Sequence, residues 1–217
     1  MAGRRGAAWL LAAALLVAPA TPSLAGSSSS CRLIQDAAGD GNDQLNGTRL
    51  GPNEPDLDIV SADIASNARS VTTVVRLSNL GTALEAAGRR NLYRFFFQLG
   101  SRHEYVVTLA TRSLDGEQFS VIVPTEGSDV PGTDTAVPAT GTFDVAHNEV
   151  RVTIPLSLAS GNHNMPHQTY FHNLVADTYR GIGTEAAGGA NASTSIDYAS
   201  TDRRYLAGSS SCVHIGT

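Results

Sequence analysis

The sequence predicts an all-β chain folded as a single antiparallel two-sheet β-sandwich, jelly-roll or immunoglobulin-like, with little helix. Three observations carry that expectation. Apolar residues alternate with polar ones over many short segments instead of recurring every 3.6 residues. Polar clusters of Asn, Gly, Arg and Ser fall between those segments, where hairpins need turns. Strand patterns also follow one another without intervening helical patterns, which argues against a βαβ architecture.

Leu57 to Ala65 is the first long extended candidate, closed by the turn signal Asn67-Ala68-Arg69. Val71, Thr73, Val75 and Leu77 then alternate with Thr72, Val74, Arg76 and Ser78, giving a strand with one buried face. Thr82 to Ala87 has room for a turn or two of helix. Tyr93, Phe95, Phe97 and Leu99 alternate with Leu92, Arg94, Phe96 and Gln98, and Gly100-Ser101 marks the next turn. Tyr105, Val107 and Leu109 are expected to face the core, with Glu104, Val106 and Thr108 outward. Phe119, Val121 and Val123 form a further inward set against Gln118 and Ser120. Glu126 to Thr142, rich in Gly, Pro, Thr and Asp, is expected to be a long exposed connection. His147-Asn148 precedes the alternation of Val150, Val152 and Ile154 with Arg151 and Thr153, and Leu156 to Ser160 is a second short helical candidate. Thr169 to Tyr179 is extended. Gly181 to Ser195 is a Gly/Ala/Ser/Thr stretch with almost nothing apolar to bury. No internal repeat and no second-domain linker interrupts this pattern.

The N-terminus reads as a secretory leader. Arg4 and Arg5 form a basic start, Ala7 to Ala18 is apolar, and Ser23-Leu24-Ala25 has the small residues a signal peptidase reads. Residues 1–25 are thus expected to be a signal peptide cleaved before Gly26, residues 26–30 a flexible segment, and residues 31–217 one domain. The apolar run is too short for the ~30 Å of a bilayer core, so the expected product is secreted with no membrane anchor. Losing Arg4 and Arg5 moves the formal net charge from −5 to −7. All 15 basic residues are arginine, which with the abundant Ala and Gly points to a high-GC bacterial source. An acidic chain without a basic stripe excludes nucleic acid as an expected partner; the oligomeric state is left open.

An exported chain with two cysteines predicts one disulfide, Cys31–Cys212. Closing so long a loop restricts the unfolded chain by an upper figure of ~5 kcal/mol. It would bring the first strand near Leu33 beside the last segment near Tyr205, with the two Cα atoms within ~7 Å.

The densest polar constellation runs from Asp36 through Asp40 to Asp43, with Gly39, Gly41 and Asn42 interleaved, followed by Asp56, Asp58 and Asp63. Ca²⁺ takes six to eight oxygens from a loop able to wrap it, so Asp36, Asp40, Asp43, Asp58 and Asp63 are the candidate calcium ligands. The alternative is a solvated turn in which Asp and Asn bond their own backbone. EF-hand spacing fails, because Gln44 and Leu45 occupy ligand and glycine positions. A second cluster, His163, Met165 and His167 with His172 nearby, offers imidazole and thioether for copper or haem iron; the alternative is a surface loop. Asn46 and Asn191 are glycosylation acceptors by motif.

Enzyme templates are not met. No Gly-x-Ser-x-Gly elbow occurs, and Val107 stands where a zincin beginning at His103-Glu104 needs its second His. Gly181-Ile182-Gly183-Thr184-Glu185-Ala186 matches a dinucleotide fingerprint only by letter, lacking the crossover that gives it meaning. The Asp56/Asp58 pair is of a kind any acidic protein offers.

Asp36-x-x-x-Asp40, then Pro55-Asp56-Leu57-Asp58-Ile59-Val60-Ser61-Ala62-Asp63, then Val71 to Leu80 resemble the opening of DOMON-like and family-9 carbohydrate-binding-module-like domains. Asn148 to Leu156 and Ala176 to Arg180 are similar to later strands of those domains. The resemblance implies an extracellular two-sheet sandwich that binds sugar or haem, or accompanies another activity. The only tryptophan, Trp9, lies in the leader, so a sugar-stacking face would fall to tyrosines. The leading expectation is a secreted or cell-wall-associated non-catalytic module binding an extracellular glycan or surface protein, with a structural Ca²⁺. Its alternatives are an extracellular haem or copper carrier of DOMON type and a structural or interaction domain without a small ligand.

Overall fold

The alternating segments pair into two antiparallel sheets in the computed structural model, which describes residues 33–45, 48–50, 52–81, 89–100, 105–123, 135–159, 170–182 and 193–207. The strands are β1 (Ile34–Gln35), β2 (Asp43–Leu45), β3 (Thr48–Leu50), β4 (Ile59–Ser66), β5 (Ser70–Leu77), β6 (Arg89–Leu99) and β7 (Tyr105–Ser113). They continue with β8 (Gly116–Val123), β9 (Thr135–Pro138), β10 (Thr140–Asp144), β11 (Glu149–Pro155), β12 (Tyr170–Ile182), β13 (Ser193–Thr201) and β14 (Tyr205–Leu206). One helical turn, α1 (Leu156–Ala159), follows β11.

The five-stranded sheet has the order β1-β4-β5-β11-β10. The seven-stranded sheet runs β13-β12-β6-β7-β8-β9, with β14 paired to β12. Strands β2 and β3 form a separate hairpin. The sheets face each other over one core, to which β5 contributes Val71, Val75 and Leu77 and β6 contributes Tyr93, Phe95 and Phe97. Their inner faces also share a polar contact: the hydroxyls of Thr73 on β5 and Thr108 on β7 hydrogen-bond at 2.6 Å, fully buried. A core hydroxyl with a partner avoids the desolvation cost of a lone one.

The turns form where the polar clusters sit. Asn67 Oδ1 accepts the amides of Arg69 and Ser70 and closes the β4–β5 hairpin. Asn148 adopts φ 56°, a left-handed conformation that Asn tolerates, ahead of β11. Its carbonyl then accepts the Leu77 amide and its side-chain oxygen the Leu80 amide, tying the turn to the far end of β5.

Three expectations are corrected. The inward face of β7 is Val106, Thr108 and Ala110, with Val107 and Leu109 on the outer side; pairing of Val106 with inward Phe97 and of Thr108 with inward Phe95 on β6 sets this phase. The reading of Glu126 to Thr142 as one exposed connection fails over its second half, where β9 and β10 form. There the chain passes from one sheet to the other at Ala139, whose amide bonds to the Phe119 carbonyl, and Phe143 packs edge-on against Tyr93 at 5.6 Å. The end of the Gly181 to Ser195 stretch opens β13, an edge strand that its small polar residues do not announce.

Segments flanking the cysteines both reach β4. The Leu33 amide donates to Asp63 Oδ1 at 2.6 Å. The Tyr205 hydroxyl accepts the Ser66 amide at 2.9 Å, three residues or ~10 Å further along the same strand. Cys31, Cys212 and residues 1–30 lie outside the described residues.

Candidate functional site

The acidic segment leaves β1 at the rim of the five-stranded sheet, and its geometry is fixed by Asp58. This carboxylate is fully buried and accepts hydrogen bonds from the Gly39 amide (2.8 Å), the Gly41 amide (3.1 Å), Asn53 Nδ2 (3.2 Å) and the Ser78 hydroxyl. Burial alone would raise its pKa; the four donors outweigh burial and hold it below the ordinary aspartate value. Gly39 supplies the turn at φ 93°. Gly41 packs so close that a Cβ there would lie 2.6 Å from the Asp58 Cα. Asp58 thus wraps the loop around itself, with its oxygens committed to donors.

Held in this way, Asp36 and Asp40 meet Asp197, a residue of β13 from the other sheet. One carboxylate oxygen from each of the three lies within 4.8 Å of the others. Asp197 is 2% exposed. Its Oδ2 accepts the Ile59 amide at 2.7 Å and its Oδ1 the Tyr198 amide at 2.8 Å. Burial, with the charges of Asp36 and Asp40 adding to it, pushes the Asp197 carboxyl up to about 7 against those two amide bonds. The cluster therefore sits where the rims of the two sheets come together, and the Ile59–Asp197 bond already joins them.

The donor set suits a hard cation. Ca²⁺ binds oxygens at 2.3–2.6 Å, so two ligands of one ion are at most ~5 Å apart, and the three carboxylates fall inside that span. Each Asp197 oxygen keeps a lone pair beyond its amide bond. The side-chain carbonyls of Asn42, in the same loop, and of Asn53, between β3 and β4, are buried and accept no hydrogen bond; they are neutral oxygens of the type Ca²⁺ uses.

Of the expected calcium ligands, the structure brings Asp36 and Asp40 together and places Asp58 beneath them as the loop's anchor. Asp63 lies elsewhere: besides the Leu33 amide it pairs with Arg76 on the outer face of the five-stranded sheet. Arg76 also bonds Glu149, which Arg151 contacts in turn. Asp43 opens β2, and its side chain lies outside the described residues, as do His163, Met165 and His167. His172 is on β12, with Nε2 at 2.6 Å from the Gly100 carbonyl oxygen. Asp56 accepts from Asn91 Nδ2 at 2.7 Å. Asp197 is the member that sequence reasoning missed: only the sheet pairing brings it to a loop well over a hundred residues earlier.

No family model, characterised relative or solved structure matches the chain.

Proposed function

We propose that this protein is a non-catalytic binding module of the secreted or cell-wall compartment, built on a β-sandwich whose rim is closed by Ca²⁺. The observation that carries the reading is the convergence of Asp36, Asp40 and Asp197 from two different sheets onto one point. A Ca²⁺ there offsets two of the three carboxylate charges and fastens β1 and its loop to β13. A role in rigidity rather than chemistry follows from the surroundings: the Asp197 oxygens are tied to backbone amides, and the loop is wound on buried Asp58. An extracellular glycan is the ligand class in this reading, in keeping with the DOMON-like and carbohydrate-binding-module-like resemblance of the early strands. Thermal unfolding of the purified full chain in Ca²⁺ and in EGTA tests the cation. A higher melting temperature in Ca²⁺, lost in Asp40→Asn, supports it; identical curves overturn it.

A further inference from the structure

The two outer faces of the sandwich differ in kind. On the five-stranded sheet the outer face carries the Arg76, Asp63, Glu149 and Arg151 network. On the seven-stranded sheet, strand register puts Tyr198, Asp177 and Arg94 on one outward rung, with Tyr179 on the rung to one side of it, Phe96 on the rung to the other, and Tyr105 one rung beyond Phe96. Arg94 Nε and Nη2 hold the Asp177 carboxylate in a two-pronged pair at 2.8 and 2.7 Å. The guanidinium lies 4.1 Å from the Tyr179 ring centre and 5.0 Å from that of Phe96, and Phe96 meets Tyr105 edge-on at 6.2 Å. Among the described residues three large apolar side chains are exposed, and two of them, Tyr105 at 41% and Tyr198 at 57%, stand on this face.

We propose that this outward face of the seven-stranded sheet is the ligand platform and that it takes a neutral polysaccharide. It rests on the binding-module reading but not on the cation. A sugar ring presents C–H groups on its faces and hydroxyls on its edge, and the platform matches both. Tyrosine rings supply flat apolar area with a polar tip. Between them part-exposed Arg94, held in place by buried Asp177, offers guanidinium N–H donors not spent on that carboxylate to sugar hydroxyls. The charge balance selects against anions: the one cation at the centre is already neutralised, and the chain as a whole carries −5. From Tyr198 on β13 to Tyr105 on β7 is three strand spacings across and, because Tyr198 shares the Leu109 rung, four residues along, a diagonal of ~20 Å, so the platform accommodates a short run of sugar rings. Strands carry every one of these side chains, which keeps the spacing of the rings fixed.

Affinity electrophoresis of the full chain through gels containing xylan, mixed-linkage β-glucan, galactomannan or amylose tests the proposal, with each gel run in Ca²⁺ and in EGTA. At least one polysaccharide should retard the wild type, and Tyr105→Ala and Tyr198→Ala should each weaken that binding roughly 3- to 10-fold. Both tyrosines are exposed, so these variants should keep the wild-type melting temperature; Arg94→Lys, which loses the planar fork, should weaken binding as well. Lack of retardation by all four, or undiminished retardation of the Tyr105→Ala/Tyr198→Ala double variant, overturns the platform. A wild-type sedimentation mass of two chains that falls to one in the double variant also overturns it, since a second copy then covers the face. Retardation that persists in EGTA, with no calcium shift in melting, leaves the platform standing and removes only the cation.

Discussion

Asp36→Asn should change the sign of its effect on stability with the solution. In Ca²⁺ at 100-fold above the dissociation constant, a bound ion stabilises the folded chain by about 2.7 kcal/mol. At ~2–4 °C per kcal/mol for a chain of this size, the wild type should melt ~5–10 °C higher in Ca²⁺ than in EGTA. In EGTA the Asp36 and Asp40 carboxylates repel each other and the partly ionised Asp197. Two charges at ~4.8 Å interact by ~1 kcal/mol in water and ~3.5 kcal/mol at an effective dielectric of 20. Asp36 and Asp40 are part-exposed, so the lower figure governs. Asp36→Asn therefore should melt ~2–4 °C above the wild type in EGTA and well below it in Ca²⁺. Differential scanning calorimetry at fixed ionic strength reads both arms. If the variant is less stable by the same amount in both solutions, Asp36 acts only through its own hydrogen bonding and the cation argument fails.

The other predictions concern the frame. Gly41→Ala should lower the urea midpoint by ~1–3 kcal/mol equivalent, because its Cβ meets the Asp58 backbone at 2.6 Å; an unchanged midpoint refutes the tight wrapping of this loop. Tyr205→Phe removes the hydroxyl that accepts the buried Ser66 amide and should cost ~1–3 kcal/mol in the same assay. Burial would raise the Glu149 pKa, but Arg151 and Arg76 outweigh it and lower the value below 4.5. A folded-state pKa below the unfolded one gives stability that is present above about pH 4.5 and is lost as pH falls through the folded value. Glu149→Gln should flatten that acid limb of a melting-temperature profile, and an unchanged limb counts against the network.

Period-2 alternation disclosed β5, β6, β8 and β11, because each leaves a contrast between faces in the sequence, while β4 and much of β12 read as extended segments without it. It misassigned the phase of β7 for a physical reason. Val106, Thr108 and Ala110 are buried inward while Val107 and Leu109 are buried outward. A strand with apolar side chains packed against their neighbours on both faces has no polar register to read. Strands β9 and β10 escaped because Thr135 to Thr142 holds few apolar residues, and sheet edges tolerate that composition. In the acidic loop, Asp36 and Asp40 were legible from the Asp/Gly/Asn spacing. The distinct roles of Asp58 and Asp63 were not, since the sequence shows a carboxylate but not whether amides, a hydroxyl or Arg76 meet it.

Asp197 and Tyr198 are neighbours on β13, and the pleat sends their side chains to opposite faces of the sheet. Asp197 turns inward to Asp36 and Asp40; Tyr198 turns outward beside the Arg94–Asp177 pair. The Tyr198 amide donates to the Asp197 carboxylate, so whatever fixes that carboxylate fixes the backbone that aims the ring. Among the described residues edge strand β13 has a hydrogen-bonded neighbour, β12, on one side only, which leaves its position more dependent than a central strand's on contacts made at the rim. The proposed inward cation and outward glycan would thus act on the same short stretch of one edge strand. By linkage, a cation that orders it favours the ligand-ready ring, and a bound glycan favours the cation to the same degree.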